Sequence, residues 1–554
     1  MIEQSPDFAA ERARWEREIA EQVAPEPART NRSGIEISPL YGPQDWSGER
    51  YADSLGFPGL APFTRGIHAS MYRGRPWSPR MVVGLGVPED YNERIRGLYE
   101  LGLTGLFVAP CNSHLRGYDP DEVDRELLGT CGTLISTKDD MAICLEGLPI
   151  DKESVSLGDT APYTMTAMFL AAARRRGVPW KNLAGTTNQS DYLSHYAALH
   201  MFYRLALPGQ RRVLLDHIDW MNTHVPRWNA ISIVGQHCQQ AGATPAEAMG
   251  LALSSAIQYA EDMRARGRDP NVFLQRFSFF FDVSISFFEE IAKFRAGRRI
   301  WARIVRERFG VSDPRAQKFR FHAQTSGADL TRQQPLNNIA RVAIQAIAGI
   351  LGGLQSLHTD SFDEALGTPT KKTVRVAVAT QNILREEAGL ADVIDPLGGS
   401  YYIETLTDQM EEKILEVIRS VDAQGGMYAA VSSGFVQRMI GKSALKFQEQ
   451  IDRGERVVVG VNGYKSDDDE RPPMLERTNP AKIDQYMQSL RRFREERDNH
   501  EVVRALDDLE RAFDSPDTNS FGAIVHAIEV GATHGEVCAR TRKAVGFGEP
   551  LIVP

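Results

Sequence analysis

Short apolar segments recur between residues 75 and 370, and longer segments with apolar residues at helical spacing separate them. A short apolar run bounded by turn residues predicts a buried strand, and the longer amphipathic segments, such as 93–101 and 245–264, predict helices. The pattern predicts strands at 81–85, 105–109, 154–157, 183–187, 231–235, 277–281, 319–322 and 353–357.

Eight strands that alternate with helices over this length predict an α/β fold, a (β/α)8 TIM barrel. A doubly wound open sheet is the alternative, because periodicity alone does not show whether a sheet closes. The helix at 245–264 is expected to begin after Thr244 as N-cap, with Pro245 at its first position. In a barrel, polar groups that follow the carboxyl ends of the strands meet at one mouth.

Two regions flank the predicted barrel at 66–400. Residues 1–65 predict a charged helix at 5–25 and an N-terminal arm that covers another subunit or the outside of its own domain. Residues 401–465 predict a helical continuation, and residues 466–554 predict a charged helical C-terminal extension. Within these regions we expect helices at 405–424 and 434–453, a strand at 456–461, a solvated turn at 467–473, an exposed helix pair at 479–512 and another pair at 520–545.

Composition indicates an ordinary globular protein. The 554 residues are 42% hydrophobic and 25% charged, and the net charge is −9. No basic patch of the kind that binds nucleic acid is evident, and no apolar run reaches transmembrane length. The five cysteines are scattered and odd in number, which argues against a disulfide framework and predicts a cytoplasmic protein.

Polar residues at the strand ends are the first candidates for chemistry. His237 follows a predicted strand among glycines that would let a ligand approach, and it could donate a hydrogen bond to a carbonyl oxygen. The alternative is a core histidine with internal partners. His322 with Gln324, and His358 with Glu364, follow other strands, so we expect the three sites to converge on one mouth.

Arginines supply a second set of candidates. Arg75 and Arg80 flank a Pro-Trp-Ser-Pro frame, and a guanidinium suits phosphate or carboxylate because it binds both oxygens. The alternative is a surface pair over Trp77. Arg211 and Arg212 begin a helix, where such a pair usually forms a solvated face with one inward anchor.

Several enzyme classes lack support in the sequence. No Ser-His-Asp order, P-loop or GxGxxG stands between a predicted strand and a helix, which leaves hydrolase, kinase and dehydrogenase functions without a motif. A barrel lyase or aldolase would predict a metal cluster or a Schiff-base lysine at a strand end, and neither is found.

Nine short motifs are ordered along residues 50–465: Pro62-Phe-Thr-Arg-Gly66, Arg75-Pro-Trp77, Gly117-Tyr-Asp119, Val155-Ser156, Ala184-Gly-Thr186, Arg276-Phe-Ser-Phe-Phe280, His322-Ala-Gln-Thr-Ser-Gly327, Gln355-Ser-Leu-His-Thr359 and Asp395-Pro-Leu-Gly-Gly-Ser400. Together they resemble the large, substrate-binding subunit of cobalamin-dependent acyl-CoA mutases, a family that includes methylmalonyl-CoA, isobutyryl-CoA and 2-hydroxyisobutyryl-CoA mutases. The tail with Ala532-Thr-His-Gly535 resembles the two-subunit 2-hydroxyisobutyryl type.

The resemblance implies a barrel whose axis holds the pantetheine arm of the CoA thioester. It implies that His237 bonds the thioester carbonyl and that Ser156, Thr186, Ser232 and Ser278 make room for the arm. It assigns CoA-arm or phosphate contacts to His68, Ser70, Arg75, Ser78 and Arg80, further substrate contacts to Val82, Ala109, Gln189, Arg212, Arg276, His322 and Gln355, and contacts on the cofactor side to Gly84, Gln236, Gln240, Gln324 and Glu364.

The resemblance also implies a radical isomerase that uses adenosylcobalamin to move the thioester group to a neighbouring carbon. In the family, a histidine in an Asp-x-His-x-x-Gly motif binds the cobalt. The nearest match in this sequence is Asp498-Asn-His500, but Val503 stands where the motif requires glycine. We therefore expect no cobalamin-binding domain in this chain and expect the cobalt ligand to come from a separate small subunit. A GTPase chaperone is a further partner that the family allows; nucleic acid and membrane are not expected.

The acyl end departs from the family pattern. Val82 replaces the tyrosine of methylmalonyl enzymes, and Ala109 replaces the aspartate of 2-hydroxyisobutyryl enzymes, which predicts an apolar pocket and a small branched acyl-CoA of the isobutyryl, pivalyl or 2-hydroxyisobutyryl kind. If Arg212 points inward, an acyl-CoA with a carboxylate is favoured instead, because an unpaired buried cation is costly. The altered segments at 110–114 and 236–240, with Gln189, leave two alternatives, a methylmalonyl-CoA mutase subunit and a weakly active acyl-CoA-binding paralogue.

Overall fold

The computed structural model describes residues 30–199, 205–466 and 478–548, together with a few positions before residue 22. Residues 13–17 are helical, and most of the charged helix predicted at 5–25 lies outside the described residues. The turn predicted at 467–473 lies outside them as well. Among the described helices, none is both long enough and apolar enough to cross a membrane.

Parallel strands form two sheets that share one barrel axis. One sheet has the order β1-β9-β8-β7-β6 and the other has the order β2-β3-β4-β5. The strands are β1 Ser78–Arg80, β2 Gly105–Val108, β3 Ser154–Gly158, β4 Gly185–Asn188, β5 Trp228–Asn229, β6 Ile231–Val234, β7 Phe277–Val283, β8 Phe321–Thr325 and β9 Ser356–His358.

The two sheets meet on both sides. Only Ala230 separates β5 from β6, so these two segments are one strand with a local break. On the opposite side a parallel bridge joins Val83, just beyond β1, to Val108 of β2, and the Ala109 N–H donates to the Val83 carbonyl at 3.2 Å. This arrangement is that of a (β/α)8 barrel rather than of an open sheet. Seven of the eight predicted strands overlap an observed strand, the last of them starting three residues later than expected, at Ser356. The first, predicted at 81–85, is wrong in position, because β1 ends at Arg80 and only Val83 of that range pairs, through an isolated bridge.

The alternation along β7 shows how the sequence builds the barrel wall. Phe279 and Phe281 pack against Trp301 and Phe294 of the helix Phe287–Glu307, with ring centroids 5.2 and 5.8 Å apart. The intervening side chain, Phe280, points to a cavity at the mouth of the barrel. A strand places successive side chains on opposite faces, so one short apolar run supplies both the outer core and the inner wall.

Helices cover the outside of the barrel. The predicted helix at 245–264 is confirmed as Pro245–Ala265, and the Thr244 hydroxyl caps it by accepting from the Glu247 N–H at 3.2 Å. The longer helices of the barrel region are Pro88–Glu100, Lys138–Cys144, Thr164–Arg175, Leu207–His224, Pro245–Ala265, Phe287–Glu307, Asn337–Leu351 and Lys371–Glu386. The helical continuation consists of Tyr401–Asp422, Met427–Ser432 and Phe435–Asp452. Short helical segments are Met71–Gly74, Asn112–Leu115, Tyr192–Ala197, Gln236–Gln240, Pro270–Phe273 and Pro314–Gln317.

The described part of the N-terminal arm lies on its own barrel. The backbone N–H groups of Arg32 and Ser33 donate to the Glu289 carboxylate at 3.1 and 2.8 Å. Farther along, Arg65 pairs with Asp395 at 3.0 Å. These contacts support the expectation that the arm covers the outside of its own domain.

The strand predicted at 456–461 is wrong. The segment forms turns, with one isolated bridge between Val459 and Gly463. The Asn462 side chain accepts from the Val458 N–H at 2.6 Å and donates to the Arg456 carbonyl at 2.7 Å. Side-chain bonds of this kind satisfy the backbone locally and replace a strand ladder.

The C-terminal extension is packed onto the barrel rather than exposed on all sides. Its helices are Pro480–Glu496, Asn499–Ala512, Ser520–Val530 and His534–Val545. Ile483, Tyr486 and Leu490 form a buried cluster with Cys111 and Leu128 of the barrel. The prediction of an exposed pair at 479–512 therefore holds only for the charged faces of these helices.

Candidate active site

Two cavities follow one another along the barrel axis. The axial channel has a volume of about 590 Å³, and the mouth cavity has a volume of about 1040 Å³. Residues from most strands line the axial channel, and the mouth cavity lies at the carboxyl ends of the strands. His322 lines both cavities, so its imidazole stands where the two meet.

Small polar side chains keep the axial channel open. Most barrels fill their axis with large aliphatic residues. Here the wall carries Ser156, Thr186, Asn229, Ser232 and Ser278. The hydroxyl of Ser278 donates to the Ile231 carbonyl at 2.8 Å, which satisfies it without a ligand. The space that these residues leave has hydrogen-bonding groups on several strands, as an extended polar chain requires.

The residues predicted to hold the CoA arm lie together around this channel. His68, Ser70, Arg75, Ser78, Arg80 and Gln355 all line it. Burial lowers the pKa of His68, and Lys318 and Arg320 lower it further. A neutral His68 beside two cations suits a ligand that carries negative charge.

Arg80 has a second role in the barrel wall. Its guanidinium donates to the Leu106 carbonyl at 3.1 Å and to the Ser154 hydroxyl at 2.8 Å. Burial lowers its pKa to about 10, although Glu153 opposes this shift. Arg80 thus ties β1 to β2 and β3 while it faces the channel.

His322 is neutral at the junction of the cavities. Its pKa lies well below the ordinary value because the ring is buried, and Arg80 and His358 add to the effect. Nδ1 lies 2.8 Å from the Ser356 hydroxyl, and the ring centroid lies 5.1 Å from that of Phe280. A neutral imidazole here can bond a ligand without a net charge.

The side of the mouth cavity that is expected to face the acyl group is apolar. Val82 is 41% exposed, and Ala109 contributes only a methyl group. Phe107 and Phe280 complete this wall, and Gln189 adds one amide. Gln189 adopts a left-handed backbone with φ of 69°, which is uncommon for a residue with a side chain.

The opposite wall of the mouth cavity is polar. Gln324 donates from Nε2 to Asp360 Oδ1 at 3.1 Å, and His358 Nε2 lies 3.1 Å from the same oxygen. Gly84 has no room for a side chain, because a Cβ there would lie 2.8 Å from the Ala109 carbonyl oxygen. The protein's own atoms fill the space beside Gly84, so packing against Ala109 and Gly132 requires a glycine there.

Glu364 lines the mouth cavity, and its carboxyl has a raised pKa. The surrounding protein limits its solvation, and this desolvation, with Asp360 and Asp363 nearby, raises its pKa to about 8. At neutral pH the carboxyl is largely protonated and can donate a hydrogen bond.

His237, Gln236 and Gln240 lie in the short helix that follows β6, behind the cavity walls. His237 is buried, with Nδ1 3.2 Å from the Ser194 hydroxyl and its ring 5.1 Å from that of His195. Gln240 donates to Asp282 at 3.1 Å. The structure places these three residues beside the mouth cavity rather than among the side chains that line it.

Arg212 lies away from both cavities. Its Nε bonds Asp216 at 2.8 Å, and its guanidinium also donates to the carbonyls of Ser515 and Thr518. The structure therefore corrects the expected placement of Arg212 at the acyl end, because Asp216 and the C-terminal extension hold its charge elsewhere.

Arg276 lies at the amino end of β7, near the channel entrance. Burial lowers its pKa, with Arg227 and Arg315 adding to the effect. Arg276 in turn contributes to the lowered pKa of Arg320, which lines the channel. Several cations therefore gather at this end of the barrel.

Sequence reasoning missed Arg320, Asn229 and Asp360. Arg320 could have been found, because it stands two residues before His322 and four before Gln324, on the same face of an extended segment. Asp360 follows His358 at the same spacing. No sequence pattern pointed to Asn229, because it lies at the break between β5 and β6.

Comparison with known proteins identifies the family. The family model described as methylmalonyl-CoA mutase matches residues 30–547. The chain belongs to the methylmalonyl-CoA mutase family. The match continues through the C-terminal helices, so they are part of the region that the family shares.

Named relatives of this mutase family member are themselves mutases, isomerases that act on acyl-CoA. A methylmalonyl-CoA mutase of Rhizobium meliloti (strain 1021) is 38% identical over 524 residues, which cover 94% of this chain and 72% of the relative. The 2-hydroxyisobutanoyl-CoA mutase large subunit of Aquincola tertiaricarbonis is 35% identical over 497 residues, which cover 88% of this chain and 87% of the relative.

Proposed function

We propose that this chain is the large subunit of an adenosylcobalamin-dependent mutase that rearranges a small, branched, neutral acyl-CoA. The observation that carries the proposal is that the axial channel and the mouth cavity share His322 in their walls. Small polar side chains line the channel, and Val82, Ala109 and Phe280 line the side of the mouth cavity proposed to hold the acyl group. Such an arrangement matches a pantetheine arm that ends in a compact apolar group.

The channel residues would bind the CoA arm. The hydroxyl and amide groups of Ser156, Thr186 and Asn229 are spaced along the wall and can bond the amides of pantetheine. Arg75 and Arg320 at the channel entrance would attract the phosphates. His322, which is neutral, would orient the thioester end without adding charge.

The acyl wall would select against charged substrates. A carboxylate placed against Val82 and Phe280 would lose its hydration. The arginines that line the mouth cavity have other partners: Arg94 donates to the Pro369 carbonyl at 3.2 Å, and Arg125 pairs with Asp484 at 2.7 Å. Arg212 is bound to Asp216 elsewhere, so it does not supply a cation to this wall. This is why we favour a neutral branched acyl group over methylmalonyl-CoA.

The polar wall fits the adenosyl group of the cofactor. Gln324 and the protonated carboxyl of Glu364 offer hydrogen bonds suited to ribose hydroxyls. Adenosylcobalamin, when bound, supplies the radical that starts the rearrangement. The protein's own task would be to hold the acyl chain and to exclude water from the mouth.

A small cobalamin-binding subunit is the partner we propose. Its support is the relative that is named a large subunit and that matches this chain over most of both lengths. His237 would reach the thioester carbonyl from beside the mouth once substrate and partner are in place. A histidine that acts in this way would be sensitive to substitution even though its side chain is buried.

A mutase assay tests the proposal. The chain, a small cobalamin-binding subunit from the same source and adenosylcobalamin would be given isobutyryl-, pivalyl-, 2-hydroxyisobutyryl- and methylmalonyl-CoA in turn. We expect turnover of a neutral branched ester to exceed that of methylmalonyl-CoA. Turnover of methylmalonyl-CoA alone would contradict the apolar pocket. Tight binding of all esters without turnover of any would instead show an acyl-CoA-binding paralogue.

A further inference from the structure

We infer that the C-terminal helix His534–Val545 positions the acyl end of the active site, with His534 as the positioning residue. The inference concerns residues 109–119, which we call the acyl loop. This loop begins at the acyl wall and ends beneath the C-terminal helix. The inference rests on the proposed function, because it assumes that the mouth cavity holds the acyl group.

The central contact joins two histidines that are far apart in sequence. The rings of His114 and His534 stack with centroids 3.6 Å apart and planes inclined by 15°. Both side chains are buried. His534 Nε2 lies 3.0 Å from the His114 carbonyl oxygen, so this nitrogen donates the hydrogen bond. Nδ1 of His534 then accepts from the Thr164 hydroxyl at 2.6 Å.

The His534 ring is neutral. Burial holds the pKa of His534 well below its ordinary value, and His114 lowers it further. His114 Nδ1 lies 3.2 Å from the Ile135 carbonyl and donates to it, and His114 Nε2 lies 3.9 Å from Asp159 Oδ1. A neutral His534 can stack closely on His114 without repulsion between two charged rings.

The same helix holds the far end of the acyl loop. The Gly535 N–H donates to Asp119 Oδ1 at 3.0 Å, and the Thr533 hydroxyl donates to Oδ2. Gly535 admits no side chain, because a Cβ there would lie 2.7 Å from the Asp119 backbone nitrogen. Arg542 donates to the Gly117 carbonyl at 2.9 Å. The helix and its N-cap therefore contact the acyl loop at three residues, His114, Gly117 and Asp119.

The near end of the loop forms the acyl wall. Ala109, Pro110 and Leu115 line the mouth cavity. The Ala109 carbonyl accepts from the Thr133 N–H at 2.9 Å. It also packs closely against Gly84, where there is no room for a Cβ atom. Leu115, which follows His114 directly, also lines the mouth cavity, so a displacement of His114 would move this part of the wall. The CoA channel, which uses other residues, would not move.

Binding measurements on the full-length chain test the inference. Calorimetry would give the dissociation constants of CoA and of isobutyryl-, pivalyl-, 2-hydroxyisobutyryl- and methylmalonyl-CoA. The dissociation constant of CoA divided by that of the ester that binds most tightly measures how much the acyl group contributes to binding. His534→Phe keeps a ring of similar size but loses both hydrogen bonds. We expect it to lower this ratio about fivefold or more, the effect of one lost hydrogen bond, while CoA itself binds within about twofold of wild type.

Two further variants separate positioning from general damage. His534→Gln keeps a donor near the His114 carbonyl and should retain the ratio within about twofold of wild type. Gly535→Ala places a methyl group too close to the Asp119 backbone and should lower the ratio of dissociation constants as His534→Phe does. His526→Gln changes an exposed histidine of the neighbouring helix and serves as the control, with no change expected.

The outcomes distinguish the two proposals. Normal CoA binding with an unchanged ratio in both His534→Phe and Gly535→Ala would overturn the positioning role and leave the proposed function standing. An equal loss for CoA and its esters would also overturn it, because the effect would then be structural. If the wild-type chain binds no CoA ester, or binds every ester no better than CoA, the proposed function fails and this inference fails with it.

Discussion

The backbone N–H of Val82 donates a hydrogen bond of 3.2 Å to Nδ1 of His358. Because Nδ1 accepts, the neutral ring carries its proton on Nε2, which lies 3.1 Å from Asp360 Oδ1. The same oxygen accepts from Gln324. One imidazole therefore joins the apolar acyl wall to the polar wall proposed for the adenosyl group.

Replacing His358 should weaken both walls. His358→Phe leaves the Val82 N–H and Asp360 without this partner, and we expect the free energy of unfolding to fall by about 1–3 kcal/mol. Denaturant unfolding measures this change. His526→Phe is the control, because His526 is exposed. An unchanged stability in His358→Phe would show that the bond contributes nothing.

Narrowing the axial channel should block the CoA arm. Ser278→Leu adds bulk to a wall of a channel of only about 590 Å³, and we expect CoA affinity to fall at least tenfold, or about 1.4 kcal/mol. Ser278→Ala removes the hydroxyl without adding volume, so its affinity should stay within about threefold of wild type. Calorimetric titration with CoA measures both. Equal affinities for the leucine and alanine variants would place the arm elsewhere.

A carboxylate at the acyl wall should change substrate preference. Ala109→Asp puts an acceptor where a hydroxyl of the acyl group could donate, and it penalises purely apolar groups. We expect the ratio of kcat/KM for 2-hydroxyisobutyryl-CoA over isobutyryl-CoA to rise about tenfold. Ala109→Val, which adds size without charge, should not raise this ratio. A rise with both variants would indicate a steric cause.

Glu364 should make the protein less stable as pH rises. Its pKa is raised to about 8 in the folded state, so the folded protein holds this proton more tightly than the unfolded chain. That stabilisation is fully present below the unfolded pKa and is lost as pH rises through about 8. Thermal unfolding of wild type and Glu364→Gln between about pH 5 and 9 should show the variant gaining Tm relative to wild type as pH rises, most steeply near about pH 6–7, with the gain levelling off above about pH 8. A constant difference would mean that Glu364 has an ordinary pKa.

Arg212 should matter for stability and not for substrate choice. Arg212→Met removes the bond to Asp216 and the bonds to Ser515 and Thr518, and we expect a loss of about 1–3 kcal/mol in the free energy of unfolding. Relative turnover of methylmalonyl- and isobutyryl-CoA should stay the same within about twofold, since the side chain lies away from the acyl wall. A selective loss of methylmalonyl-CoA turnover would show that Arg212 reaches the substrate.

Much of this protein follows from local sequence pattern. Most of the strands and the capped helix Pro245–Ala265 were predictable, because short apolar runs bounded by turn residues and helical spacing with Thr244 as cap are properties of neighbouring residues. The small polar residues of the axial channel were found through family motifs, and the structure brings them to one wall because parallel strands of one barrel share an axis.

Only the tertiary structure decided which distant groups meet. His114 and His534 stack although 420 residues separate them, and nothing in either local sequence predicts that contact. Arg212 aligned with a substrate-binding position, yet Asp216 one turn later and the carbonyls near residue 515 hold it elsewhere. Local spacing determines which face of a helix or strand a side chain occupies. Which distant residues it then contacts depends on how whole helices and strands pack together. Those contacts determine the shape of the proposed acyl site.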